Sequence, residues 1–171
     1  MTASSTASAG PVAGERTVRA EDGLDRAMRR VEDAVMVIRS GDPQPYIDCW
    51  ADDPDVTLFG AWGPIERGYP ALTGTFRWVG SRFTAYSGGG VENAVVHASG
   101  DLAYTVGFER GAVSVDGGPE RDMVIRVTHI YRRFGKEWLL VHRHADFPPA
   151  DQRGPDPARA GSRREDTRPA R

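Results

Sequence analysis

Residues Val127–Pro149 read "VTHIYRRFGKEWLLVHRHADFPP" and hold three of the chain's four histidines. Two runs of β-branched, aromatic and aliphatic residues flank Gly135-Lys136, the pattern of two antiparallel strands joined by a tight turn. A two-residue turn pairs Phe134 with Glu137 and sets His129 opposite His142. Side chains alternate along a strand, so one face collects Val127, His129, Tyr131, Trp138, Leu140, His142, His144 and Asp146. The other collects Arg126, Thr128, Ile130, Arg132, Leu139, Val141, Arg143 and Ala145. The aromatic, imidazole-rich face is expected to line a cavity. The arginine-rich face is expected outside, with Ile130, Leu139 and Val141, framed by Arg132 and Arg143, in a homodimer interface.

Imidazoles on a pocket wall suit proton transfer. Burial lowers a histidine's pKa and a nearby carboxylate raises it, which tunes the ring near neutrality. His129, His142, His144 and Asp146 are therefore the candidate catalytic residues. The competing reading is a hydrogen-bonded network that fills the sheet interior. A third is a metal site, since His-x-His on one strand with a facing His supplies three ligands and leaves a position open.

Outward from the hairpin, Leu24, Met28, Val31, Val35 and Ile38 recur every three or four residues, predicting a helix over 22–39 closed by Ser40-Gly41. "PQPYIDCWA" predicts a short helix over 44–51, "DVTLF" a short strand, "GAWGPIERG" a loop, and "YPALTGTFRWVGSRF" a helix over 69–81. After residue 83 come long strands with turns at "GD", "GGPER" and "GK". Helices followed by a four-strand antiparallel meander make an α+β domain over 21–147. Residues 1–20 and 148–171 are small, polar and Pro/Arg-rich, and are expected to be disordered tails.

"ADDPDVTLFGAWGPIERG", a helix, and a meander ending "RVTHIYRRFGKEWLLVHRHAD" resemble the NTF2-like superfamily, and within it the SnoaL-like group. The resemblance implies a cone-shaped curved sheet wrapped around N-terminal helices, the cystatin-like roll. Relatives include ketosteroid isomerases, polyketide cyclases, limonene epoxide hydrolase and a kinase association domain. The tyrosine and general-base aspartate of ketosteroid isomerases fall near Ala34 and Leu58, neither of which moves a proton. The oxyanion-hole aspartate of those enzymes falls at or next to His129, and the late aspartate of polyketide cyclases near Asp146. Of the epoxide hydrolase's Asp-Arg-Asp set, only Arg126 and Asp146 have counterparts here.

Other candidates are substrate-binding. Tyr46, Trp50, Trp62 and Trp78 lie on elements covering the cone's mouth, where aromatics clasp a flat ligand. Tyr131 shares the hairpin's aromatic face. Glu109, charged within a long strand, either points inward opposite Arg126 or faces water. Cys49 reads as a buried filler thiol. A formal charge of -2 argues against a nucleic-acid partner, and no apolar run suggests a membrane span or signal peptide. The single cysteine fits the cytoplasm. The resulting expectation is a cofactor-free cyclase, isomerase or dehydratase of secondary metabolism acting on a small apolar or aromatic carbonyl compound. The alternatives are a non-catalytic ligand-binding or oligomerisation module, and a metal-dependent enzyme.

Overall fold

The computed structural model describes residues 13–63 and 65–149, so that 1–12 and 150–171 of the expected disordered tails lie outside the described residues, while 13–20 belong to a helix. Helix α1 (Ala13–Arg39) starts nearer the N-terminus than its periodicity suggests and presents Leu24, Ala27, Val31, Ala34, Val35 and Ile38 to the core. It ends where Gly41 takes φ 99° and donates its N–H to the Ile38 carbonyl at 3.0 Å, the left-handed residue that closes many helices. Helix α2 (Gln44–Ile47) is one turn, shorter than expected over 44–51. Its continuation is captured by the sheet: Leu140 N–H donates to the Cys49 carbonyl at 2.9 Å, and Ala51 N–H to the Leu140 carbonyl at 3.0 Å. Backbone groups spent on a strand cannot also close helical turns.

Strand β1 (Thr57–Phe59) pairs with β2 (Ile65–Arg67), a strand where the sequence suggested only a loop. Helix α3 (Tyr69–Arg82) follows, then the long strands β3 (Phe83–Ser99), β4 (Leu102–Val115), β5 (Arg121–Phe134) and β6 (Glu137–Asp146). The six-stranded sheet has the order β2-β1-β6-β5-β4-β3, with β1 running parallel to β6. The protein is thus α+β, with helices in the hollow of a curved sheet. Three register shifts in β3 against β4, with Gly88 at φ 59° and Gly89 at φ 112°, bend the long hairpin. One apolar cluster joins α1, α2, α3 and β6 around Val31, Leu72, Trp138 and Leu140. A second gathers Val113, Met123, Ile125, Val127 and Ala145.

The β5–β6 hairpin departs from a straight ladder at one residue. Phe134 faces Glu137 and Tyr131 faces Leu140, as a Gly135-Lys136 turn requires. The next pair is Ile130 with His142, so Val141 is an extra residue in β6. From there His129 lies opposite Arg143 and Thr128 opposite His144. A one-residue insertion moves every later side chain to the other face. Arg143 and Ala145 therefore turn inward and are buried, while His142, His144 and Asp146 turn outward. The expected face assignment holds for Val127 through Leu140 and is reversed after Val141. The expected dimer frame loses Arg143 for the same reason.

The β3–β4 ladder gives a direct test. A β-carbon on Gly107 would come within 2.0 Å of the Glu92 carbonyl oxygen, whereas Gly74, exposed in α3, has nothing within 4 Å. Gly107→Ala should lower stability to urea by about 3 kcal/mol, and Gly74→Ala should raise it by about 0.5–1 kcal/mol. An unchanged midpoint for Gly107→Ala would contradict the close strand approach.

Candidate active site

The inner face of the sheet, α1 and α3 enclose a cavity whose walls come from both apolar clusters, among them Val35, Ile38, Phe76, Met123 and Ile125. It holds about 70 Å³ of space for water-sized occupants, where a single water needs only about 10–15 Å³. Its apolar walls suit an organic group. One end of it is polar, formed by Arg39 from α1, Tyr46 from α2, Glu109 from β4 and Arg143 from β6.

Glu109 faces inward because it shares the parity of the buried Ala103, Thr105 and Gly107 on β4. It is 3% exposed, and a buried carboxylate survives only with partners. Arg143 Nη2 donates to both its oxygens at 3.0 Å, and Arg39 Nη2 approaches Oε2 at 3.4 Å. Arg39 is itself fixed by donating Nη1–H to the Arg110 carbonyl at 2.6 Å. Burial alone would push the Glu109 carboxyl up, but the guanidinium charges of Arg143 and Arg39 outweigh it and hold the group below the ordinary carboxylate range. Glu109 is ionised at neutral pH.

Tyr46 sits at the junction of cavity and core. Its ring meets Phe76 edge-on at 4.8 Å, and its hydroxyl lies 3.0 Å from His129 Nε2. His129 is 1% exposed. Desolvation, reinforced by the Arg143 charge, pushes its pKa down to about 3, so the imidazole is neutral. Burial likewise raises the Tyr46 phenol well above its ordinary value. The pair is a neutral hydroxyl backed by a neutral imidazole. His129 does not line the cavity; it stands behind Tyr46, which does.

The other expected residues are dispersed. His142 leaves the interior and takes the Thr57 hydroxyl at 2.7 Å through Nδ1. His144 is exposed, with its ring edge-on to Phe59 at 5.3 Å. Asp146 accepts from Arg126 Nε at 2.7 Å and Nη2 at 2.6 Å on the same outer face. His142, His144, Asp146 and Arg126 are thus removed from the site, and Arg126 is not the partner of Glu109. The Val141 bulge displaces the first three, while outward parity on β5 displaces Arg126. Trp50 and Tyr131 are core residues, 3% and 2% exposed, that do not line the cavity. Trp62 is at the cavity's edge, where Arg82, paired with Asp116, lies 4.8 Å from its ring and 5.1 Å from that of the exposed Trp78. Among the described residues no group of three His, Cys, Asp or Glu side chains could hold a metal ion. Cys49 is buried, and desolvation raises its thiol to about 11, so it is not a nucleophile.

Arg39 and Arg143 are the site residues that sequence reasoning missed. A usable signal was there: a glutamate inside a strand of inward parity demands a buried cation. Arg39 directly follows the buried Ile38 on the core face of α1.

The buried pair makes stability depend on pH with one sign. The folded-state pKa of His129 lies below its unfolded value of about 6.5. Between those values the unfolded chain binds a proton that the folded chain refuses, so stability falls as pH drops from 6.5 toward 3. The slope should reach about 1.4 kcal/mol per pH unit. Glu109, also lowered, adds a loss of the same sign below its ordinary value of 4.5. His142, lowered mainly by desolvation, contributes a weaker slope. Melting curves of His129→Gln between pH 7 and 5 should be flatter than those of the wild type; parallel curves would show that His129 is not the titrating group.

A family model described as the SnoaL-like domain matches residues 28–150. No curated protein matches the sequence. Among solved structures, a proposed dehydratase of the NTF2-like family from Streptomyces avermitilis superposes with a TM-score of 0.62 at 19% identity, covering 75% of this chain and 96% of that one. A ketosteroid isomerase-like protein from Erwinia carotovora atroseptica gives 0.63 at 15% identity, with coverage of 75% and 95%. A proposed calcium/calmodulin-dependent protein kinase type II association domain from Thiobacillus denitrificans gives 0.57 at 21%, with coverage of 73% and 94%. These likenesses concern the fold, and the family match spans most of the chain: the protein belongs to the SnoaL-like domain family, of NTF2-like fold.

Proposed function

We propose that this SnoaL-like domain is a cofactor-free enzyme that isomerises, cyclises or dehydrates a small apolar carbonyl compound in the cytoplasm. The observation that carries the reading is the Tyr46 hydroxyl, on the wall of an apolar cavity and backed by a neutral, buried His129. With Nε2–H donating to the Tyr46 oxygen, the phenol O–H is free to donate to a substrate carbonyl. A preorganised donor in a dry site stabilises the charge that develops on that oxygen. The carboxylate of Glu109 lies on the same wall and takes the proton from the carbon next to the carbonyl. The electrons of the broken C–H bond pass to the carbonyl oxygen as an enolate held by Tyr46. In a dehydration they return to expel the β-hydroxyl, which leaves as water with the abstracted proton.

A non-catalytic binding module is the second reading. It is favoured by the engagement of Glu109 with two guanidiniums, which makes it a weak base. A panel of β-hydroxy ketones, followed by the ultraviolet absorbance of the conjugated product, separates the two. Tyr46→Phe should lower turnover on the order of 10²–10³-fold while keeping the melting temperature within a few degrees. Binding without turnover across the panel, or an active Tyr46→Phe enzyme, would defeat the enzymatic reading.

We also propose a homodimer through the outer sheet face, where Leu102, Tyr104, Val106 and Phe134 are exposed beside Ile130, Leu139 and Val141. Exposed apolar surface of this kind marks an association site. Sedimentation at micromolar concentration should give twice the chain mass, and Val106→Arg should halve it; a wild-type monomer would refute the interface.

A further inference from the structure

The polar end of the cavity is not neutral. Five elements contribute one ionisable group each around it: Arg39 from α1, Tyr46 from α2, Glu109 from β4, His129, behind Tyr46, from β5, and Arg143 from β6. Tyr46 and His129 are uncharged. The two guanidiniums, which stay protonated in proteins, face a single carboxylate, so one positive charge is left over. All three charged side chains are less than 10% exposed, and buried charge is unfavourable unless it is paired. Glu66, whose carboxylate accepts from the lining residue Thr75, is not itself among the residues that line the cavity. A second observation points the same way. Arg143 Nε is buried and has no hydrogen-bond partner, although buried N–H groups almost always have one. Arg39 spends Nη2 on a long 3.4 Å approach to a carboxylate that Arg143 already holds.

We infer that the cavity takes a ligand bearing a carboxylate, seated against Arg143 and Arg39 with its apolar body toward Ile38, Phe76 and Ile125. This rests on the proposed role of the cavity as the substrate site, and it narrows the substrate to an apolar carbonyl compound that also bears a carboxylate. Filled in this way, the site has two guanidiniums and two carboxylates and is electrically balanced. Glu109 keeps Arg143 in place besides its proposed part as the base, and the ligand supplies the missing charge. The apolar walls select an organic acid over a hydrated inorganic anion, which would lose its water without gaining contacts.

Calorimetric titration of the full chain at pH 7 with benzoate, benzamide, benzyl alcohol and inorganic phosphate tests this. Benzoate should bind at least about tenfold more tightly than each of the other three, the size of gain a charge-assisted contact gives. Glu109→Gln removes the competing carboxylate and should tighten benzoate without changing benzyl alcohol. Arg143→Lys keeps a counter-charge for Glu109 but loses Nε, and should weaken benzoate about tenfold. Should either variant fail to fold, the wild-type series alone decides. Benzamide or benzyl alcohol binding as tightly as benzoate would overturn the anion site and leave the small-molecule cavity standing. Phosphate binding as tightly as benzoate would overturn recognition of an apolar acid. Absence of binding by all three aromatic probes would overturn both this inference and the reading of the cavity on which it rests.

Discussion

Glu109 is a carboxylate placed inside a sheet, and much of the surrounding architecture keeps it paired. A lone buried carboxylate would take up a proton or destabilise the fold. Here it meets Arg143 from β6, two strands away on the same face of the sheet, and Arg39 from the end of α1. Arg143 can be there only because Val141 is an extra residue in β6. With a straight ladder, Arg143 would face out and His142 would face in. Arg39 depends in turn on α1 continuing to its last residue before the left-handed Gly41.

That arrangement divides the interior into two unlike halves. Around Val31, Leu72, Trp138 and Leu140 the packing is apolar and closed, with α1 lying directly on β6; Gly23 passes over the Trp138 ring, which a β-carbon there would meet at 3.3 Å. Met123 and Ile125 of the other cluster line the cavity opposite Val35 and Ile38 of α1 and Phe76 of α3. The polar groups stand at the seam. The low-dielectric side strengthens their interactions, and the open side gives a ligand access to them. The same burial that makes His129 neutral lets it orient Tyr46 without adding a further positive charge beside Arg143.

The cavity's edge is built differently. Trp62 reaches it from the β1–β2 connection and is held by stacking on Arg82, which Asp116 anchors from beyond the end of β4. The aromatic residues expected at the mouth thus split by role. Tyr46 and Trp62 touch the cavity, Trp78 braces Arg82 from outside, and Trp50 packs into the closed core against Phe76 at 5.7 Å.

Local signals in the sequence determined the helical stripe from Leu24 to Ile38, the extent of α3, the four long strands and the Gly135-Lys136 turn, because period and turn chemistry are properties of neighbouring residues. They also brought out the likeness to the SnoaL-like family, and with it the α+β fold. His129, Tyr46, Trp62 and Glu109 could be picked out because inward parity from the turn, or an aromatic or charge in an apolar context, is visible locally. The fates of His142, His144, Asp146 and Arg143 were not visible. They hang on one bulge at Val141, where β6 pairs with β5 on one side and with the Cys49–Ala51 segment and β1 on the other. Which residue a strand skips is settled by partners far away in the chain. Only the tertiary structure could decide it, and with it which charges face the cavity.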